Sequence, residues 1–161
     1  MKYIILGTAH GVNVAGKRSP DGRFREYKYS REIVARLKDE LEKAGYVVYV
    51  DIMDDEVPAK QSAELVKRVQ IVNALCNKHG ASNCIYVSIH NNAAGSNRQW
   101  LSARGWAVYT SRGKTKADAL ATCLWNAANE ILPHDHKNVV RADKSDGDPD
   151  YESDFYVLKY T

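Results

Sequence analysis

Two histidines each follow a short hydrophobic segment and could bind a metal ion. Tyr3–Leu6 leads into His10, and Ile85–Ile89 leads into His90. A side chain just past the end of a buried parallel strand lies in the crevice where open α/β sheets place their ligands. Imidazole nitrogen is a common zinc ligand, and a carboxylate completes the three protein ligands of many catalytic zinc sites. The two histidines therefore indicate a zinc site with one position left open.

Glu26 is the carboxylate that we expect as the third ligand. It follows His10 by sixteen residues and lies at the start of the first predicted helix, whose N-terminus would face the same crevice. The three residues are too far apart in the chain to form a local motif such as HExxH, so the fold must assemble them. The alternative is that His10 and His90 are hydrogen-bonded loop histidines and that Glu26 is exposed.

Other candidate sites have weaker patterns. His134 and His136 could bind a metal, but a solvated loop pair is the simpler interpretation. His79 lies at the end of a predicted helix, where a cation suits the helix dipole, so we expect a structural role. No GxSxG motif supports Ser88 as a nucleophile, and Gly16–Ser19 lacks the upstream glycine of a phosphate-binding loop.

The composition is typical of a globular protein with one domain. The 161 residues are 44% hydrophobic and 27% charged, which allows a sizeable core. The net charge of +3 is scattered, and no basic stripe is present, so we expect no nucleic-acid partner. The first apolar run is too short for a signal peptide or a membrane span, so we expect no membrane insertion. The chain has an odd number of cysteines and no CxxC motif; they are Cys76, Cys84 and Cys123. This pattern predicts buried free thiols and synthesis in a reducing compartment.

Strand and helix patterns alternate along the chain. This order predicts an α/β fold with a twisted, mostly parallel sheet and helices on both faces, a three-layer αβα architecture. Thr115 and Asp118 form a capping box that opens a third helix, and Pro133 ends it. An acidic surface loop is expected over Lys144–Asp154, followed by an apolar segment. The other predicted elements are strands at Lys2–Leu6, Tyr46–Val50, Cys84–Ile89 and Gly105–Tyr109 and helices at Arg25–Ala44 and Gln61–His79.

These segments together resemble the zinc-dependent N-acetylmuramoyl-L-alanine amidases of the Amidase_3 type. The most specific match is a strand that ends in Ser-Ile-His and is followed by Asn-Ala, which corresponds to Ser88–Ala93. The resemblance covers nearly the whole chain; the remaining matched segments are Leu6–Gly11, Glu26–Ser30, Arg68–Asn73, Gly105–Tyr109 and Phe155–Leu158.

The resemblance implies a zinc hydrolase that acts on peptidoglycan. It implies one zinc ion bound by His10, Glu26 and His90, with water as the fourth ligand. The bond cleaved in this family joins N-acetylmuramic acid to L-alanine of the stem peptide. Peptidoglycan is then the expected partner and the cell wall the expected site of action. Asn92 and Arg141 are candidates for substrate binding.

The end of the chain departs from the family pattern. Family members continue past the Phe-x-Val-Leu segment into a last strand that ends in the general-base glutamate, whereas this sequence stops at Thr161. We therefore expect a single amidase-like domain, residues 1–161, that lacks its C-terminal strand and has little or no activity. Glu130 and Glu152 do not match the family motif, so the catalytic base is left unassigned.

Two further functions are compatible with the same residues. One is a non-catalytic peptidoglycan-binding or zinc-stabilised module derived from an amidase. The other is a metal-dependent peptidase or deacetylase that acts on a different amide. The expected lack of a signal peptide fits a phage-type endolysin as well as an excised catalytic domain of a secreted wall hydrolase.

Overall fold

The structure is a computed structural model that describes residues 2–94, 99–137 and 139–161. Its named strands pair in parallel. The chain divides into two units: the first extends to Leu101 and includes Thr161, and the second is Ser102–Tyr160. In both units, the strands pair in parallel and are followed by helices, so the predicted α/β class with a mostly parallel sheet is confirmed. Among the described helices, none is long and apolar enough to cross a membrane.

The first unit contains a three-stranded parallel sheet in the order β2-β1-β3. Leu6 pairs with Val50 on one side of β1, and Gly7 pairs with Ser88 on the other. The carboxyl ends of all three strands therefore lie at one edge of the sheet. The elements of this unit are β1 (Tyr3–Gly7), α1 (Glu26–Lys43), β2 (Val47–Val50), α2 (Gln61–His79), a 3-10 turn (Ala81–Asn83) and β3 (Cys84–Ser88).

The core of the first unit lies between β1 and the helices. Ile4 and Leu6 pack against Val34 of α1 and Val48 of β2 in one buried cluster. Ile5 is also buried, and because side chains alternate along a strand it faces the opposite side of the sheet. Central position and burial on both faces make β1 a rigid support for the residues that follow it.

The second unit contains a short parallel pair of strands and one long helix. Its elements are β4 (Tyr109–Thr110), α3 (Ala117–Ile131), β5 (Tyr151–Glu152) and α4 (Tyr156–Tyr160). The predicted capping box forms only in part: Asp118 accepts hydrogen bonds from the backbone N–H and the hydroxyl of Thr115, but the residue before α3 is Lys116, which makes no side-chain cap bond. The Thr115 hydroxyl in turn accepts from the N–H of Ala117.

The predicted strand at Gly105–Tyr109 is wrong in its bounds, because only Tyr109 belongs to β4. The hydrogen bonds of this segment go to two different partners. Trp106 bonds with the backbone of Val139 and Arg141, whereas the carbonyl of Val108 accepts from Tyr151. A segment shared between two partners cannot form one continuous ladder.

The predicted surface loop over Lys144–Asp154 is wrong in its second half. Asp150 is only 2% exposed, and Tyr151–Glu152 form β5. The Tyr151 ring packs on Tyr109 with 5.4 Å between ring centres, and Asp150 accepts a hydrogen bond from the Thr110 hydroxyl. Packing with β4 thus overrides the acidic, turn-forming composition of the segment.

The cysteines are free thiols, as predicted, but they are not buried as predicted. Cys76 and Cys84 are half-buried, and Cys123 is exposed on α3. The expected structural role of His79 fits its surroundings, because its ring stacks on Tyr3 with 4.0 Å between ring centres and on Tyr49 at 5.3 Å.

Candidate metal centre

His10 follows β1 in a backbone conformation that side chains rarely adopt. Its φ is +42°, in the left-handed region that disfavours residues other than glycine. Two buried guanidinium groups hold this conformation by donating to the His10 carbonyl, from Arg31 at 2.9 Å and from Arg68 at 3.2 Å. The residue is 4% exposed. The position of the His10 ring is therefore fixed from the backbone side.

Ser30 of α1 connects the two segments that end in the histidines. Its hydroxyl accepts the N–H of Ala9 at 2.7 Å and donates to the carbonyl of Ile89 at 2.9 Å. The N–H of Ile89 also donates to the carbonyl of Gly7 at 2.9 Å. Ala9 and Ile89 directly precede the two histidines, so these bonds bring His10 and His90 together at one edge of the sheet.

Glu26, the first residue of α1, completes the group. One donor atom from each of His10, Glu26 and His90 lies within 4.8 Å of the others. Glu26 Oε1 lies 3.2 Å from His90 Nδ1 and accepts the N–H of Asn91 at 3.0 Å, and Oε2 lies 4.0 Å from His10 Nε2. Burial alone would raise the pKa of Glu26, but the hydrogen bonds from His90 and Asn91 lower it overall. The carboxylate is thus ready to bind a cation.

The geometry and chemistry of the group fit a zinc ion. Tetrahedral zinc with bonds of about 2.0–2.1 Å places its ligand atoms roughly 3.3 Å apart. The Glu26–His90 separation of 3.2 Å matches this distance, whereas the 4.0 Å between Glu26 and His10 must shorten when an ion binds. Glu26 is 6% exposed, so the alternative of an exposed helix residue is wrong. Within the described part of the chain, this is the group of at least three potential metal-binding side chains that comes close enough to hold an ion.

A buried carboxylate that sequence analysis missed lies behind His10. The carboxylate belongs to Glu64 of α2. Its Oε2 lies 2.9 Å from His10 Nδ1, and its Oε1 accepts a hydrogen bond from Arg68 Nε at 2.8 Å. Arg68 also donates to Asp51 at 2.7 Å. A usable signal was present: Glu64, Arg68 and the core residue Val72 lie four residues apart, which places the two charged residues on a buried helix face.

Asp51 anchors the far side of this network. It accepts from the N–H of Thr8 at 3.0 Å and from the Tyr86 hydroxyl at 3.2 Å. Burial by itself lowers the pKa of Arg68, but the charges and hydrogen bonds of Asp51 and Glu64 raise it overall. The guanidinium therefore stays charged and balances two buried carboxylates.

The remaining candidate residues have different surroundings. Asn92 is exposed two residues after His90. Arg141 belongs to the second unit, where its guanidinium lies 5.7 Å from the centre of the Tyr151 ring. Their roles in substrate binding stay predictions. His134 Nε2 donates to the carbonyl of Asn129 at 2.7 Å. The other α1 glutamates are solvent-accessible and paired with neighbouring basic side chains; they are Glu32, Glu40 and Glu42.

Cys76 and Cys84 interact with each other, but they form a poor alternative metal site. Burial raises the pKa of the Cys76 thiol to about 11, and the adjacent Cys84 adds to this shift. Metal ions bind the thiolate, which is scarce at neutral pH when the pKa is this high. The His-Glu-His group is therefore the better candidate.

Comparison with known proteins identifies the class of protein that this fold and site define. The chain belongs to the Amidase_3 family of N-acetylmuramoyl-L-alanine amidases, whose family model matches residues 4–161. It is therefore an amidase of a peptidoglycan-cleaving family. No curated protein matched the chain.

Two solved structures share the fold. The CwlD amidase from Clostridioides difficile, in complex with the GerS lipoprotein, aligns with a TM-score of 0.72 and 20% sequence identity, over 99% of this chain and 76% of that chain. The catalytic domain of CwlV, an N-acetylmuramoyl-L-alanine amidase from Bacillus (Paenibacillus) polymyxa var. colistinus, aligns with a TM-score of 0.63 and 19% identity. That alignment covers 100% of this chain and 75% of CwlV.

Proposed function

We propose that the chain is a zinc-dependent hydrolase that degrades the cell wall by cleaving the amide bond between N-acetylmuramic acid and L-alanine. In this proposal, His10, Glu26 and His90 bind one zinc ion. The main support is the convergence of three donor atoms within 4.8 Å at the carboxyl edge of the parallel sheet. Membership of the amidase family supports the substrate.

The residues around the donor group have separate tasks in this proposal. A bound zinc ion acts as a Lewis acid toward the amide carbonyl and lowers the pKa of a coordinated water. Ser30 fixes the spacing of the two histidines through Ala9 and Ile89. His90, with 34% of its side chain exposed, lies on the side that substrate can reach.

Hydrolysis also requires a group that accepts a proton from water. Glu64 does not fit this role, because one of its oxygens is occupied by Arg68 and the other by His10. Glu26 is engaged as a ligand in this proposal. General acid–base catalysis contributes roughly 10²–10⁴-fold in rate. Neither Glu26 nor Glu64 is therefore free to supply this contribution.

The test combines metal analysis with product analysis. The purified 161-residue protein is incubated with peptidoglycan, and newly exposed N-terminal L-alanine is measured by amine labelling and mass spectrometry. We expect one zinc per chain and release of L-alanine-terminated peptides above background. Chelator and the E26Q variant should abolish both, whereas E32Q, which changes an exposed glutamate on the same helix, should behave as the unmodified protein.

Two results would overturn the proposal. Release that is unchanged by chelator and by E26Q would show that the donor group does not catalyse cleavage. Stoichiometric zinc with no release above background, together with sedimentation of the protein with insoluble peptidoglycan, would instead favour the non-catalytic wall-binding module.

A further inference from the structure

We propose that Glu64 is a positioning residue of the metal centre, which fixes the orientation and the tautomer of the His10 ring. The proposal rests on the metal site proposed above at His10, Glu26 and His90. It concerns a side chain that lies outside the donor group itself, on the opposite side of the His10 ring.

The contact with Glu64 determines which nitrogen of His10 is available. Glu64 Oε2 lies 2.9 Å from His10 Nδ1. An ionised carboxylate can only accept a hydrogen bond, so Nδ1 donates and holds the ring proton. When the ring is neutral, the lone pair is then on Nε2, the atom that lies 4.0 Å from Glu26 Oε2. The neutral ring thus presents its free nitrogen toward the other donors.

Glu64 can hold His10 because it is itself held. The side chain is fully buried, and its second oxygen accepts from Arg68 Nε at 2.8 Å. Arg68 is equally buried and donates to Asp51 at 2.7 Å. Hydrogen bonds between charged groups are short and strong, and a low-dielectric interior strengthens them further. Carboxylates that orient a metal-binding histidine in this way typically raise metal affinity by about 10–100-fold.

The first measurement determines the tautomer of His10 in the metal-free protein by long-range ¹H–¹⁵N NMR in alkaline buffer. We expect the proton on Nδ1. In E64Q the amide oxygen should pair with Arg68, which can only donate, so the amide NH₂ faces His10. The ring must then accept at Nδ1, and its proton should move to Nε2. E64D keeps a carboxylate and should keep the proton on Nδ1.

The second measurement is zinc affinity, determined by competition with a chromogenic chelator. We expect E64Q to weaken zinc binding about 10–100-fold. E64D keeps the charge pair with Arg68 but shortens the side chain, so it should fold and weaken zinc binding to a smaller degree. Y86F is the matched control, because it removes a hydrogen bond to Asp51 from the same network without touching His10.

The outcomes separate this proposal from the proposed function. If the unmodified protein does not bind zinc, the metal site itself is wrong, whereas the tautomer measurement still tests the role of Glu64. A proton on Nε2 in the unmodified protein would overturn the proposal. Equal loss of zinc affinity in E64Q and Y86F would also overturn it, because a purely structural network would explain both.

Discussion

His10 and His90 contribute the same kind of atom to one donor group, but their surroundings are opposite in character. His10 is buried, its ring contacts Glu64, and its carbonyl accepts from two arginines. His90 is partly exposed, and its Nδ1 contacts Glu26, which is itself a proposed ligand. One half of the site is therefore built into the protein core, whereas the other half is open to solvent.

Because of this difference, the two histidines should contribute differently to fold stability and to metal binding. Residues around His10 contribute to the stability of the fold and to the proposed metal site at the same time. His90 contributes mainly to the site, because its partial exposure leaves little packing to lose. Substitutions on the two sides should consequently differ in metal-free stability even where they have the same effect on zinc binding.

The largest effect is expected from R68M on the His10 side. Loss of the guanidinium leaves Asp51 and Glu64 buried without their cation, which should lower the free energy of unfolding by about 3–5 kcal/mol. Urea unfolding of the metal-free protein measures this loss. R36M breaks an exposed pair with Glu32 and should cost less than about 1 kcal/mol. Similar losses in the two variants would contradict a special role for the buried network.

The next largest effect is the expected difference in stability between H10A and H90A. In excess chelator, H10A should lose about 2–3 kcal/mol of unfolding free energy, because a charged, buried Glu64 oxygen loses its donor. H90A also removes a hydrogen bond from the buried Glu26, but Glu26 keeps the N–H of Asn91, so the loss should be smaller, about 1 kcal/mol. Both variants should fail to bind zinc. Equal metal-free stability of H10A and H90A would refute the contrast between the two sides.

S30A tests the connection between the two halves. Without the hydroxyl, the buried N–H of Ala9 loses its acceptor, at a cost of about 1–2 kcal/mol, and the carbonyl of Ile89 loses a donor. Zinc affinity should fall as well, because the spacing of the histidines is less fixed. S62A, an exposed site on α2, is the control for both measurements. Unchanged zinc affinity in S30A would show that Ser30 is only structural.

The smallest effect concerns Asp148 and Asp150, a carboxylate pair in the second unit for which no ion pair occurs among the described residues. Burial raises the pKa of Asp150 to about 6, and the neighbouring Asp148 contributes. Because the folded-state pKa lies above the ordinary value of 3.8, the stabilisation from Asp150 is complete below pH 3.8 and is lost as the pH rises through 6.

D148N removes the neighbouring charge and should reduce that loss. We expect the melting temperature at pH 7 to rise by about 2–5 °C relative to the unmodified protein, with little change at pH 4. Scanning calorimetry across this pH range measures the effect. D146N, at an exposed position of the same segment, should leave the profile unchanged. If the melting temperature of D148N changed with pH in the same way as that of the unmodified protein, repulsion between the two carboxylates would be excluded.

Sequence patterns predicted the first unit well, because its elements obey local rules. The bounds of α2 agree with the prediction, and α1 ends beside Gly45, whose φ of +88° suits a residue without a side chain. The structure brings His10, Glu26 and His90 together, as their places after two strands and at the start of α1 suggested, while their role as metal ligands stays a prediction. Their convergence depends on the parallel register of β1 and β3, which the strand–helix alternation already implied.

What sequence patterns missed depends on contacts between distant segments. The spacing of Glu64, Arg68 and Val72 indicated a buried helix face, but the position of Glu64 behind the site depends on its contact with His10, 54 residues away along the chain. Asp150 and Tyr151 looked like part of an acidic loop, but pairing with β4 buries them. Composition describes the average environment of a residue, whereas these residues are placed by partners about 40–60 positions away along the chain.

The most direct test of the account is X-ray absorption spectroscopy at the zinc edge on the chelator-stripped protein reloaded with one equivalent of zinc. We predict nitrogen and oxygen neighbours at about 2.0–2.1 Å, with imidazole scattering from two histidines and with no sulfur neighbour. The same spectrum should be lost in E26Q and kept in E32Q. A sulfur shell at about 2.3 Å would place zinc on the cysteines instead and would contradict the metal site at His10, Glu26 and His90.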